Sequence, residues 1–134
     1  MSDTEFEAAR LTVRLGAVVA NFRLCQRLIG PAAVAGVVKA DGYGCGAAPV
    51  ARALAAAGCD TYFVARLTEG IALRPIVPKA HIFVLDGGAP DTIPALIHHR
   101  LTPVLNSLSE IAGWSAAARE TRTVSSRVRP MSGS

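Results

Sequence analysis

The stretch VVKADGYGCG, residues 37–46, leads an apolar run into a lysine and then into a loop with a glycine at every second position. The run 34–40 holds no polar residue before Lys39, which is the pattern of a strand buried on both faces. The alternating glycines allow positive φ and a close approach of the backbone to a ligand. The sequence therefore predicts a lysine at the end of a buried strand, followed by a tight turn.

Strand-like and helix-like patterns alternate outward from this stretch. Residues 11–15, LTVRL, alternate apolar and polar side chains and predict an N-terminal strand, and a helix is predicted at 16–29. Four βα units follow, with strands predicted at 34–40, 61–65, 81–85 and 102–105, and helices at 47–57, 68–73, 91–99 and 107–118. Strands and helices in this order predict a parallel α/β sheet with right-handed crossovers. An open doubly wound sheet and an eightfold barrel both fit, and both carry their chemistry at the carboxyl ends of strands.

The composition indicates one globular domain. The chain has 134 residues, of which 51% are hydrophobic and 18% are charged. The sequence holds no apolar run of the roughly 18 residues that span a bilayer, and its acidic N-terminus does not resemble a signal peptide. Three cysteines without a CxxC pair predict neither a disulfide framework nor a metal site. We therefore expect a cytoplasmic protein without a membrane partner.

The net charge of +4 is concentrated near the C-terminus. Residues 1–118 hold ten Lys and Arg against nine Asp and Glu, whereas residues 119–134 hold four arginines and one glutamate. A basic tail can contact phosphate backbones, but this one has no interleaved aromatic residues and no nucleic-acid-binding motif. We expect a disordered tail and no nucleic-acid partner.

Lys39 is one of two lysines among fourteen basic residues, and the other, Lys79, is expected in a surface loop. Low solvation at a strand end favours the neutral amine, which is the form that condenses with a carbonyl cofactor. The alternative is a lysine that extends from the strand end into water. Tyr43 offers a phenol for a phosphate or a carboxylate, and Asp41 is expected to bond amides of the turn.

The quoted stretch resembles the cofactor motif of alanine racemases, usually AVVKADAYGHG, whose lysine binds pyridoxal 5′-phosphate covalently. Gly42 stands where alanine is usual and Cys45 where histidine is usual. Related barrel enzymes with this cofactor typically read AVKAN, so the Asp-x-Tyr-Gly continuation favours a racemase. Further segments are similar to the family, namely LTVRLGAVVANFRLCQRLIG, VARALAAAGCDTYFVARLTEGIALR, HIFVLDGG and LTPVLNSLSEI.

The resemblance implies a partial TIM-type (β/α) barrel at 11–118, with 1–10 as an N-terminal tail and 119–134 outside the family. It implies that Lys39 binds pyridoxal 5′-phosphate and is one of two catalytic bases, and that Tyr43 binds the cofactor phosphate. Val37 and Leu85 would pack against the cofactor, and no metal is implied. The implied activity is interconversion of L- and D-alanine by a homodimer, supplying D-alanine for peptidoglycan, with serine as the alternative substrate.

Racemisation removes the α-proton from one face and returns it from the other, so it needs two acid–base groups. In the family the second is a tyrosine from the C-terminal domain of a partner subunit, and later barrel strands contact the pyridine nitrogen and the phosphate. Here Tyr62 lies inside a predicted strand. We interpret the chain as a truncated or frameshifted racemase, inactive alone, with a naturally short homologue as the alternative. The competing functions are a non-catalytic pyridoxal-phosphate-binding homeostasis protein and a phosphate-binding barrel enzyme without this cofactor.

Overall fold

The structure, a computed structural model, describes residues 9–127. Its elements are α1 (Leu15–Ile29), β1 (Gly36–Val37), α2 (Lys39–Tyr43), α3 (Ala47–Ala56), β2 (Thr61–Val64), α4 (Leu67–Leu73), β3 (His81–Val84), a 3₁₀ helix (Pro90–Thr92), α5 (Ile93–His98), β4 (Thr102–Pro103) and α6 (Leu108–Arg127). Within this part of the chain, no helix is both long and apolar enough to cross a membrane.

The four strands form one parallel sheet in the order β1-β2-β3-β4. The α/β class and the four predicted βα units are therefore confirmed. Each strand lies beside its predecessor in the sequence, as in a barrel, whereas a doubly wound sheet reverses its strand order. The order favours a segment of a (β/α) barrel.

The two faces of the sheet differ sharply in burial. Tyr62 and Ile82, which are aligned on β2 and β3, are completely buried beneath the helices. The Tyr62 hydroxyl donates hydrogen bonds to the carbonyl oxygens of Ala51 at 3.1 Å and Cys59 at 3.2 Å. Burial, aided by Cys59, raises the pKa of Tyr62. Tyr62 is thus a core residue, in keeping with its predicted strand position.

The opposite face carries an aligned row that no helix of the described chain covers completely. The row runs across the sheet through Val37, Phe63, Phe83 and Thr102. Val37 is 45% exposed, so the prediction that the strand at 34–40 is buried on both faces is wrong. The Phe63 and Phe83 rings stack at 4.9 Å between centroids. We call this row the open face.

Two predicted strands differ in the structure: the one at the N-terminus does not form, and the one at 34–40 is shorter. Residues 11–14 form no strand, because the described part of the chain provides no strand beside them, and Leu11 is 78% exposed. Their alternation pattern alone does not create a sheet edge to pair with. The predicted strand at 34–40 shortens to Gly36–Val37, because Val38 leaves the extended region at φ −121° and ψ 22°.

The last helix is longer than predicted. It was expected to end near residue 118, but α6 continues to Arg127. The prediction of disorder from Arg119 is therefore wrong as far as Arg127, and residues 128–134 lie outside the described chain. The strong helix formers alanine, arginine and glutamate at 116–120 favour continuation to Glu120, whereas the Thr, Val and Ser residues that follow are weak helix formers.

We expect the 134-residue chain to self-associate through the open face. This face exposes apolar side chains, and the sheet has free edges at β1 and β4, which can pair with another chain. Sedimentation at micromolar concentration should show oligomers, and the Phe63→Lys/Phe83→Lys variant should sediment as a smaller species. Leu28→Lys, which changes an exposed apolar residue of α1, serves as the control. A clean monomer of the unmodified chain would contradict this prediction.

Candidate functional site

Lys39 lies at the carboxyl edge of the sheet, two residues after Val37. β1 ends at Val37 and Val38 is no longer extended, so strand alternation does not assign the Lys39 side chain to a face of the sheet. Lys39 is partly buried, and Val38 beside it is 1% exposed. The backbone N–H of Val38 donates to the Phe63 carbonyl oxygen at 3.0 Å, so the strand holds the chain just before the lysine.

A left-handed turn follows Lys39 immediately. Ala40, Asp41, Gly42 and Tyr43 have φ of 51°, 52°, 64° and 57°. A non-glycine residue in this region costs roughly 1–2 kcal/mol, so three of these four positions carry backbone strain. The sequence indicated positive φ at the glycines but gave no sign of it at Ala40. Such strain persists where surrounding contacts hold it, and it clusters at functional sites.

Tyr43 is brought next to Lys39 by this turn. The Lys39 Nζ lies 5.9 Å from the centroid of the Tyr43 ring, within the range of a cation–π contact. Tyr43 is 63% exposed. The lysine and tyrosine selected from the sequence therefore form one accessible pair.

Asp41 fixes the far end of the turn. Its Oδ1 accepts a hydrogen bond from the backbone N–H of Ala47, the first residue of α3, at 2.9 Å. This contact confirms the expectation that Asp41 bonds amides of the turn. It also satisfies one of the N–H groups that a helix start leaves without a partner.

Val37 and Leu85 lie on the open face near the same edge. Leu85 comes two residues after Phe83, which places it on the Phe83 side of the sheet, and it is partly buried. The stacked rings of Phe63 and Phe83 lie between them and complete an apolar floor. These two phenylalanines are not among the site residues predicted from the sequence, although their period-two position in TYFVA and HIFVL was the signal.

Glu69 is a second residue that sequence analysis did not select. Its carboxylate accepts hydrogen bonds from the backbone N–H groups of Ala40, Ala65 and Arg66 at 2.7, 3.1 and 2.8 Å. The contact to Ala40 reaches the residue directly after Lys39. A glutamate at the third position of a helix signals a local cap, but not this long-range bond.

A cavity of about 230 Å³ lies behind the turn. Its lining is mostly apolar and includes Val38 and Val64, which belong to the helix-covered side of the sheet. Lys39 does not line it. Asp41 and Glu69 do line it, so both acidic residues that bond the turn border the cavity. Among the residues that the structure describes, no three His, Cys, Asp or Glu side chains are grouped to hold a metal ion.

Comparison with known proteins places the chain in a family. Residues 13–128 match the model of the alanine racemase N-terminal domain. The alanine racemase of Methylobacterium nodulans is 47% identical over 119 residues, which cover 89% of this chain and 32% of that protein. The alanine racemase of Acidiphilium cryptum is 50% identical over 109 residues, covering 81% of this chain and 30% of that protein.

A solved structure supports the same assignment. The alanine racemase of Bartonella henselae, described with covalently bound pyridoxal phosphate, superposes with a TM-score of 0.78 at 33% identity, covering 82% of this chain and 31% of that one. The present chain spans about a third of the length of the relatives that it matches. The match extends beyond residue 118, where the sequence resemblance was placed to end. This chain belongs to the alanine racemase family and corresponds to part of its N-terminal domain.

Proposed function

We propose that this chain contributes the cofactor-binding lysine of a pyridoxal-phosphate-dependent alanine racemase. The observation that carries the proposal is the partly buried Lys39 at the carboxyl edge of the sheet, with its Nζ 5.9 Å from the centroid of the Tyr43 ring. The names of the curated relatives favour this function over a non-catalytic cofactor-binding protein and over a barrel enzyme without the cofactor.

The chemistry of the side chains fits pyridoxal 5′-phosphate. Lys39 supplies a primary amine, the group that condenses with an aldehyde. The exposed hydroxyl of Tyr43 can donate to a phosphate oxygen. Val37 and Leu85, with the phenylalanine pair between them, offer an apolar surface for an aromatic ring. We assign Lys39, Tyr43, Val37 and Leu85 to cofactor binding on this basis.

In the proposed reaction Lys39 has two tasks. Lys39 would hold the cofactor through its Nζ, a primary amine of the kind that condenses with an aldehyde. When not linked to the cofactor, the same amine would accept or return the α-proton on one face of the substrate carbon. The bound cofactor would supply an electron sink that makes this proton removable.

The proposed biological setting follows from the family. The complete enzyme would be a cytoplasmic homodimer that converts L-alanine to D-alanine for peptidoglycan. Lys39 and its turn would belong to one subunit, and the second acid–base group would come from the partner. Alanine is the proposed substrate because the relatives are named for it.

Covalent labelling tests the assignment of Lys39. The chain is incubated with pyridoxal 5′-phosphate and reduced with borohydride, which converts the linkage to a stable secondary amine. Peptide mapping should place the label on Lys39, because its amine lies beside the Tyr43 ring. Lys39→Ala should reduce the label to background. Lys79→Ala, which removes the other lysine, should leave it unchanged; label on Lys79 alone would refute the proposal.

A further inference from the structure

We propose that Glu69 is a positioning residue for Lys39, holding the left-handed turn that sets where the amine lies beside Tyr43. This inference rests on the proposed function of Lys39. One half of the Glu69 contact is an ordinary helix cap, because Oε1 accepts from Arg66 at the start of α4 and from Ala65. The other half is not local, since Oε2 accepts from Ala40, 29 residues away, at 2.7 Å.

The backbone on both sides of Lys39 is held by β2 or by the loop that follows it. On the amino side, Val38 N–H donates to the carbonyl oxygen of Phe63 in β2. On the carboxyl side, Ala40 N–H donates to Glu69, which is itself bonded to the end of the same strand. The bond from Ala40 N–H to Glu69 orients the peptide unit after Lys39, and the bond from Gly42 N–H to the Val38 carbonyl oxygen orients the unit before it. They therefore set the direction in which its Cα–Cβ bond leaves the chain.

The turn needs an external contact of this kind. Its own hydrogen bonds run from Gly42 to Val38, from Gly44 to Ala40 and from Gly46 to Asp41. These bonds use the carbonyl oxygen of Ala40 but leave its N–H to Glu69. Ala40 and Asp41 have positive φ, which alanine and aspartate seldom adopt without support from their surroundings. Loss of the Glu69 carboxylate removes a contact that ties this strained segment to the next βα unit.

Glu110 provides a matched comparison within the same chain. It occupies the same third position of its helix, α6, and accepts from Asn106 N–H at 2.6 Å. It lies so close to Gly87, after β3, that a Cβ there would approach its Oε1 to 2.6 Å. Both glutamates therefore join neighbouring βα loops at the carboxyl edge of the sheet. Glu69 lies beside the lysine turn, whereas Glu110 serves the loops after β3 and β4.

The test compares Glu69→Ala, Glu69→Gln and Glu110→Ala in the full 134-residue chain. Amide hydrogen exchange at Ala40 measures the protection that its hydrogen bond to Glu69 provides. Since a hydrogen bond to a charged group contributes about 1.5–3 kcal/mol, Glu69→Ala should speed this exchange at least about tenfold. Glu69→Gln keeps one acceptor oxygen, so its exchange rate at Ala40 should lie between those of the unmodified chain and of Glu69→Ala. If Glu69→Ala does not fold, Glu69→Gln carries the comparison.

The rate of covalent linkage to pyridoxal 5′-phosphate reports how the Lys39 amine is positioned. The rate at which pyridoxal 5′-phosphate becomes linked to Lys39 should fall about tenfold or more in Glu69→Ala, because misplaced reacting groups lose rate steeply. Glu110→Ala should stay within about twofold of the unmodified chain by the same measure. Reductive methylation of Lys39 by formaldehyde with borohydride as the reductant, scored relative to Lys79, gives a readout that needs no cofactor.

The outcomes separate the two proposals. If the unmodified chain fails to capture pyridoxal 5′-phosphate, the proposed function fails, and Ala40 exchange with formaldehyde selectivity still decides the role of Glu69. Faster Ala40 exchange together with altered Lys39 reactivity in the Glu69 variants supports positioning. Unchanged Lys39 reactivity overturns it, whether or not Ala40 exchange changes, and so does an equal effect of Glu110→Ala.

Discussion

The 134 residues alone should interconvert the alanine enantiomers at least about 10²- to 10⁴-fold more slowly than an intact racemase, the usual effect of losing a positioned acid–base group. Lys39 and Tyr43 leave the same short turn, with the Lys39 amine 5.9 Å from the tyrosine ring. They therefore approach a bound substrate from one side. The aligned open-face positions Val37, Phe63 and Phe83 supply no acid–base group for the other side.

A coupled assay for D-alanine, run in both directions on purified chain, measures this deficit. The alanine racemase of Methylobacterium nodulans, measured at the same cofactor concentration, supplies the reference rate. Lys39→Ala defines the background, because it removes the proposed base and the covalent attachment point together. Turnover close to the reference rate, lost in Lys39→Ala, would show that these residues contain a complete catalytic set.

The position of Lys39 could be predicted because local pattern and topology agree on it. The apolar run before Lys39 indicated a strand, and parallel strands bring their carboxyl ends to one edge of the sheet. The strands β2 and β3 were equally clear, since Thr61–Val64 and His81–Val84 are short runs of β-branched and aromatic residues bounded by helix signals. In the structure, burial along both strands alternates between the two faces of the sheet.

The turn after Lys39 could not be predicted in the same way. Left-handed φ at Ala40 opposes the local preference of alanine, and the contact from Glu69 that accompanies it comes from 29 residues away. The prediction of an N-terminal strand was wrong for a related reason. Alternation at 11–15 describes a side-chain pattern, whereas a strand also requires a partner, and α1 begins at Leu15 instead.

Arg74 is a buried cation at the amino edge of the sheet, the edge opposite to that of Lys39. It is 8% exposed and donates hydrogen bonds to backbone carbonyl oxygens on two segments. Its acceptors are Val77, Pro78, Ala80, His99 and Arg100. These residues precede β3 and β4, so one guanidinium joins the two loops at the amino edge. Burial and the Arg100 charge lower the pKa of Arg74, but a guanidinium remains charged at neutral pH.

Arg74→Met should destabilise the chain by roughly 3 kcal/mol or more, because each buried carbonyl oxygen left without a donor costs about 1–3 kcal/mol. Methionine fills part of the space but donates no hydrogen bond, so the carbonyl oxygens before β3 and β4 lose their partner. A domain of this size has roughly 5–15 kcal/mol in total, so the variant should be partly unfolded near physiological temperature. Arg74→Lys should also destabilise, because an ammonium has three donors and no planar fork.

Urea unfolding followed by circular dichroism measures the loss. It should be carried out on the Phe63→Lys/Phe83→Lys background if the chain otherwise associates. Arg52→Met is the matched control, because Arg52 is an exposed arginine on α3, and a surface change of this kind stays within about 0.5 kcal/mol. Equal stability of the Arg74 and Arg52 variants would mean that water replaces the guanidinium at these carbonyls. The two loops would then be held by the apolar core, in which Leu73 and Leu101 flank the same edge.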